Sequence, residues 1–167
     1  MNAAAVQDAH PPAAVIRVVN PIMRTLLRTP VARLLADVAL IEFTGRRSGR
    51  RYRVPVGWHG LDGTTTVFTP ARWRANFAGG VAADVRHRGR SRQMTGTLVT
   101  DPAAVAHALQ RVLDAGTPPR RIGLSIAPGH TLTEDDVTST HRAMIRFQPA
   151  ADAAPPVASS IAGTQLS

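Results

Sequence analysis

The stretch Gly45-Arg46-Arg47-Ser48-Gly49-Arg50-Arg51-Tyr52-Arg53-Val54-Pro55 carries five guanidinium groups. Such density suits the holding of an anion, because arginine forks match the geometry of phosphate and carboxylate. Gly45 and Gly49 allow close backbone approach, so the amide N–H groups from Gly45 to Gly49 are expected to converge on one oxyanion, with Ser48 adding a hydroxyl donor. The plainer alternative is a solvated, arginine-rich hairpin loop, since runs of charge are commonly wet surface. Downstream, Arg72-Trp73-Arg74-Ala75-Asn76-Phe77 offers an indole that could wall a flat aromatic ligand and an amide that can donate one hydrogen bond and accept another.

Other chemistry finds no footing. His10, His59, His87, His107, His130 and His141 show no His-x-x-x-His or His-Glu pairing, and cysteine is absent, so neither a metal centre nor thiol catalysis is indicated. Ser48 lies between two predicted strands without the glycine pattern of a nucleophile elbow. Neither Gly-x-Gly-x-x-Gly nor a P-loop occurs, which argues against a Rossmann dinucleotide site and nucleotide hydrolysis. No side chain is assigned a catalytic role. What remains is an anion-gripping turn beside a Trp-containing turn that could wall a flat aromatic ligand, an arrangement that suits a cofactor enzyme, in which the protein positions a reactive ring and neutralises its phosphate.

The run Phe43 to Pro55 resembles the signature of the deazaflavin-dependent nitroreductase and quinone reductase family. Asn20-Pro21-Ile22-Met23-Arg24 to Leu35 resembles that family's helical lead-in, and Arg72 to Phe77 its Trp-x-x-Asn-Leu element, so the likeness covers about residues 18 to 148. The resemblance implies a split β-barrel related to flavin mononucleotide oxidoreductases. It further implies a cofactor site for coenzyme F420, an 8-hydroxy-5-deazaflavin, formed by Gly45, Arg46, Arg47, Ser48, Gly49, Arg51, Arg53, Val54, Pro55, Trp73 and Asn76, with FMN as the alternative ligand. The implied reaction is hydride transfer from the reduced deazaflavin to a small flat acceptor, a quinone, enone or nitro compound. Two departures stand out: many members have arginine at the position of Tyr52, and the loop before Trp73 is cut to Thr69-Pro70-Ala71-Arg72. Tyr52 is also the sole tyrosine, so the family's C-terminal tyrosines have no counterpart here.

The elements that must position these residues are mainly β, with flanking helices. Val38 to Thr44 is β-rich, and Tyr52, Val54, Val56 and Trp58 alternate with Arg51, Arg53, Pro55 and Gly57, as a strand with one buried face requires. Leu61-Asp62-Gly63 closes a hairpin onto Thr64 to Thr69, and Val81 to Arg88 pairs with Arg90 to Thr100 around Gly89. With Ala143 to Phe147 this gives about six strands. Trp58 falls on a buried alternation and reads as core, whereas Trp73 reads equally as core or ligand wall. Six arginines between residues 72 and 92 suggest a second basic patch. Asp101-Pro102 starts a helix ended by Gly116, and Thr133-Glu134-Asp135-Asp136 starts a short one. Near the N-terminus, Val15 to Leu27 has an apolar stripe opposite Arg17, Arg24 and Arg28, interrupted by Asn20-Pro21 and Thr29-Pro30, which predicts two short helices over 15–35.

The chain of 167 residues suits one domain at 15–148, between a flexible arm at 1–14 and a disordered tail at 149–167. All twenty basic residues are arginine against eleven acids, a net charge of +9 that favours anionic partners. Nucleic acid is the competing partner suggested by a sequence pI near 11.7, but two tryptophans, one tyrosine and four phenylalanines make a poor stacking platform. A barrel that binds flavin, haem or a fatty acid without turnover is the third class. No apolar run has transmembrane length, so the expected location is cytoplasmic, with peripheral membrane contact through the 15–35 helices as an option. The sequence leaves the oligomeric state open.

Overall fold

The computed structural model describes residues 5–8 and 37–150. In chain order they form β1 (Val6–Asp8), β2 (Val38–Thr44), β3 (Arg51–Gly57), β4 (His59–Leu61), β5 (Thr64–Thr69), a 3-10 helix (Arg72–Phe77), β6 (Val81–His87) and β7 (Arg90–Val99). Then follow α1 (Pro102–Asp114), a second 3-10 helix (Pro119–Ile122), β8 (Leu124–Ile126), α2 (Glu134–Ser139) and β9 (Ala143–Pro149). The two helices expected over 15–35 lie outside the described residues.

The architecture turns on Trp58. The extended run from Arg51 to Leu61 breaks there, and its halves join opposite edges of one antiparallel sheet of seven strands, ordered β3-β2-β6-β7-β9-β5-β4. Strands consecutive in the chain but at opposite edges force the sheet to curl until those edges meet, which makes it a split barrel. Trp58 secures the corner by donating its backbone N–H to Asp37 O at 2.9 Å. The sequence pattern showed about six strands because alternation continues through the break, which changes the partner strand and leaves the period of two intact. Both tight hairpins use two-residue turns with positive φ throughout, Asp62-Gly63 at 51° and 71° and Arg88-Gly89 at 50° and 75°. That geometry matches strand twist and favours glycine at one position.

Alternation sends one set of side chains inward. Ile41, Phe43, Val67, Val85, Ile145 and Phe147 fill the barrel together with Phe77 from the first 3-10 helix. Gly96 lies where Phe77 and Phe147 converge, since a Cβ there would stand 2.7 Å from a ring carbon of each. The other face of β5 and β9 is covered by α1, whose Val105, Leu109 and Val112 pack with Leu132, Val137 and Met144. Asp101 caps α1 by accepting the Ala104 N–H at 2.9 Å, and Thr133 with Asp136 forms a capping box on α2. Both helix starts follow the sequence reading.

One correction concerns the arm at 1–14. Val6–Asp8 is a strand paired with Leu124–Ile126, and Val6 is buried in the outer core. Asp8 accepts from the buried Arg142 Nη2 at 3.0 Å, while the same guanidinium donates to Ile122 O at 2.7 Å and Gly123 O at 2.6 Å. Burial pushes the Arg142 pKa down and Asp8 opposes it, so the pairing keeps a buried charge compensated. Three residues of strand leave no periodic signature, and their partner lies more than a hundred residues away. At the other end, Pro149 finishes β9 and Ala150 N–H donates to Gln93 O at 3.4 Å; the rest of the expected tail lies outside the described residues.

Candidate functional site

The arginine-rich turn joins β2 to β3 at the end of the barrel where Thr44 pairs with Arg51. Its backbone is largely satisfied from within. Gly45 N–H donates to Arg50 O at 2.8 Å, Gly49 N–H to Gly45 O at 2.9 Å and Arg50 N–H to Ser48 Oγ at 3.4 Å. Arg46 N–H donates to Asn76 Oδ1 at 3.0 Å. Three of the five amides expected to converge on an oxyanion, those of Gly45, Arg46 and Gly49, are therefore spent on holding the turn. A Cβ on Gly45 would fall 2.6 Å from Ser48 Oγ and from Tyr52 Cε2, so a side chain there would displace the tyrosine ring that lies across the turn. Ser48 Oγ and Tyr52 Oη are 3.3 Å apart and share a hydrogen bond.

The Trp-x-x-Asn element is brought to this turn. Asn76 uses both ends of its amide within the protein, accepting from Arg46 and donating from Nδ2 to Trp73 O at 2.8 Å. The Arg46 guanidinium donates to Ala78 O at 2.8 Å, closing a second clasp between the same two segments. Trp73 is half-buried beside the barrel core, its ring 5.8 Å from Phe43 and 6.0 Å from Phe77. Phe43 also stacks on Tyr52 at 5.3 Å and 12°. Rings then continue without a break through Phe43–Phe77, Phe77–Phe147, Phe147–Trp58 and Trp58–His87, with centroids 4.9, 5.6, 5.4 and 5.7 Å apart in turn. Trp58 accordingly packs on the core, as its alternation predicts.

The remaining residues implied by the resemblance fall into two groups. Arg53 Nε donates to Glu42 Oε2 at 2.8 Å and Arg51 pairs with Asp84 at 3.8 Å, so both already have carboxylates on the outer face of the sheet. Val54 packs against the inner core, and Pro55 lies half-buried opposite Leu40. In contrast, the side chains of Arg47, Arg50 and Arg72 are exposed and have no acidic partner among the described residues. Arg50 and Arg72 are additions to the site. For Arg50 the signal lay in the motif itself, which has no acid between Glu42 and Asp62, and for Arg72 in its place next to Trp73.

The second basic patch expected from residues 72 to 92 divides in the fold. Arg72 opens the 3-10 helix at the turn end, while Arg74 is committed to Thr69 O at 3.2 Å and to His141 O. Arg86, Arg88, Arg90 and Arg92 belong to the β6–β7 hairpin, whose His87 pairs with Ala39 at the far end of β2. The length of β2 puts these two ends roughly 20 Å apart.

Elsewhere, His59 is buried at the joint between β3 and β4 with its ring 6.0 Å from Phe68. Burial lowers its pKa from 6.5, with Asp37 opposing and Arg121 adding to the shift. Among the described residues no cluster of His, Asp or Glu could hold a metal ion, and no helix is long and apolar enough to cross a membrane.

No protein-family model and no curated relative matches the sequence. Among solved structures, the chain is similar to one described as a domain-swapped dimer, at 11% identity and a TM-score of 0.47 over 83% of this chain and all of that one. It is also similar to a protein assigned to 5-nitroimidazole antibiotic resistance in Bacteroides thetaiotaomicron, at 13% identity and a TM-score of 0.39 over 68% of this chain and 73% of that one. A third likeness is to the FAD and haem binding protein of Mycobacterium smegmatis, at 15% identity and a TM-score of 0.35 over 94% of this chain and 92% of that one. These likenesses are too distant to carry function, and the split barrel stands on its own strand order.

Proposed function

We propose that the protein is an oxidoreductase that uses a deazaflavin of the F420 type to reduce a small flat acceptor, a quinone, enone or nitro compound. The observation that carries this reading is the clasp between the arginine-rich turn and the Trp-x-x-Asn element. Two motifs thirty residues apart, both resembling parts of one cofactor site, meet through Arg46 N–H and Asn76 Oδ1. Arg47, Arg50 and Arg72 around that clasp fit an acidic group, because their forks are exposed and have no acidic partner among the described residues. They would hold the phosphate and the acidic tail, while the amides of Gly45, Arg46 and Gly49 hold the turn in place. Arg51 and Arg53 would contribute only by sharing their carboxylate partners, and Trp73 would shape the ring end from its place beside Phe43.

When bound, the cofactor supplies the hydride; the protein's part is to bind, orient and keep competing acceptors away. The test is a fluorescence titration of the purified protein with oxidised and reduced deazaflavin and with FMN, followed by turnover with a quinone. Tight deazaflavin binding that weakens with salt, together with turnover, is expected, since exposed arginine contacts are screened over about 8 Å at physiological ionic strength. Binding without turnover would replace the enzyme by a carrier of flavin, haem or fatty acid. Absence of binding by either flavin type would refute the reading.

A further inference from the structure

The inner face of the sheet changes character at the end remote from the arginine-rich turn. Paired residues of antiparallel strands share a face, so the partners of the buried residues of β6 can be read from the register. Ala83 pairs with Met94 and Val85 with Arg92, then His87 with Arg90. Inward-facing positions along β7 therefore pass from Leu98, Gly96 and Met94 to two arginines. β9 no longer flanks β7 there, because its last pair is Pro149 with Met94. The arginine side chains are exposed and make no ion pair or hydrogen bond among the described residues. Asp84, the acid of β6, pairs with Glu42 and Gln93 and so stands on the opposite face. Beside the arginines, half-buried Trp58 holds its ring 5.7 Å from His87 and 5.4 Å from Phe147.

We infer that this end of the barrel is a second binding site, which takes a flat aromatic ring carrying a phosphate or carboxylate. Trp58 and His87 supply the surface against which the ring lies, and Arg90 and Arg92 neutralise the anion. Alternate residues of a strand stand about 6.6 Å apart, so the two forks flank one anionic group from both sides. The site is distinct from the arginine-rich turn, from which it is separated by the length of β2.

Each end of the barrel contains one tryptophan, which gives a local readout. In a Trp73→Phe variant, Trp58 is the sole tryptophan, and its fluorescence is followed during titration with adenosine 5′-monophosphate, adenosine and inorganic phosphate. Saturable quenching by the monophosphate is expected, with adenosine and phosphate each at least about tenfold weaker. Adding Arg90→Ala and Arg92→Ala should raise the monophosphate constant about tenfold or more, since hydrogen bonds to charged groups are among the stronger ones. Arg47→Ala with Arg50→Ala should leave it within about twofold. The site is refuted if Trp58 does not respond, if the response survives loss of Arg90 and Arg92, or if it vanishes with Arg47 and Arg50. Equal binding of phosphate alone would refute the aromatic part. All four arginine changes are at exposed positions, and thermal melting of each variant separates misfolding from lost binding.

Discussion

Asn76→Ala should loosen the candidate cofactor site without touching any ligand. The amide accepts from Arg46 N–H at 3.0 Å and donates to Trp73 O at 2.8 Å, so alanine removes the tie between the turn and the 3-10 helix together with the bond that orients it. Each hydrogen bond contributes about 0.5–1.5 kcal/mol net, and because Arg46 is exposed, water can replace the bond on that side. The expected loss of stability is therefore about 1–2 kcal/mol, read as a shift of the urea midpoint at constant slope. Binding should suffer in parallel. A loss of about 1.4 kcal/mol lowers the ordering constant of the turn about tenfold, so the apparent constant for deazaflavin should rise, by up to about tenfold. Asn76→Asp keeps the acceptor for Arg46 and loses the donor to Trp73, so it should keep more of the stability than alanine does, while its added negative charge weakens binding of the anionic cofactor. Should Asn76→Ala bind as tightly as the parent despite the shifted midpoint, the clasp would be a fold contact only, and the site would lie elsewhere.

Other consequences follow from particular contacts. Arg47→Ala should weaken deazaflavin binding about ten- to a hundredfold with the melting temperature unchanged, whereas Arg46→Ala should lower both, since only Arg46 also holds Ala78 O; equal melting of the two variants would contradict this division. Gly96→Ala should cost about 1–3 kcal/mol in chemical denaturation, because its Cβ would press on Phe77 and Phe147 from 2.7 Å; a neutral result would mean those rings yield freely. His59 has its pKa lowered in the fold from 6.5 by burial, so the unfolded chain takes up the proton first. Its contribution is full above pH 6.5 and declines as pH falls from there toward the folded value. His59→Gln should accordingly flatten the loss of stability between about pH 7.5 and pH 5.5, and an unchanged slope would remove His59 as its source.

The strands were legible in the sequence wherever one face is buried. Ile41 and Phe43 recur with a period of two along β2, as do Val54 and Val56 along β3 and Ala83 and Val85 along β6, and all six belong to the inner core. The two helix starts were legible because Asp101 and Thr133 are capping residues with local partners. What escaped depends on distance in the chain. Nothing near Trp58 reveals that β3 and β4 face opposite edges, since that is fixed by their pairing with β2 and β5. The strand at Val6–Asp8 is explained only by β8 and Arg142, far along the sequence. At the candidate site, the motif marks the turn that meets the Trp-x-x-Asn element, yet a glycine pair specifies freedom of backbone and not the direction of its amides. Closure by Arg50 O, Gly45 O and Asn76 Oδ1 sets that direction.

The fold also changes what the net charge of +9 implies. On the outer face of the sheet, Arg51 and Arg53 stand two residues apart on one strand, and each is met by an acid from another strand, Asp84 or Glu42. Asp62 pairs with Arg111 and Asp37 with Arg121, so acids are consumed along the body of the barrel. Arginines without an acidic partner among the described residues gather mostly at its two ends, Arg47, Arg50 and Arg72 at one and Arg86, Arg88, Arg90 and Arg92 at the other, with Arg120 and Arg146 standing singly elsewhere. A nucleic-acid strand draws its affinity from a continuous row of neutralised phosphates. To join both ends across this face it would have to pass Glu42 and Asp84, where its phosphates meet carboxylates. Two separate clusters roughly 20 Å apart suit small anions bound one at each end, and the excess charge then speaks for compact anionic ligands over a polyanion track.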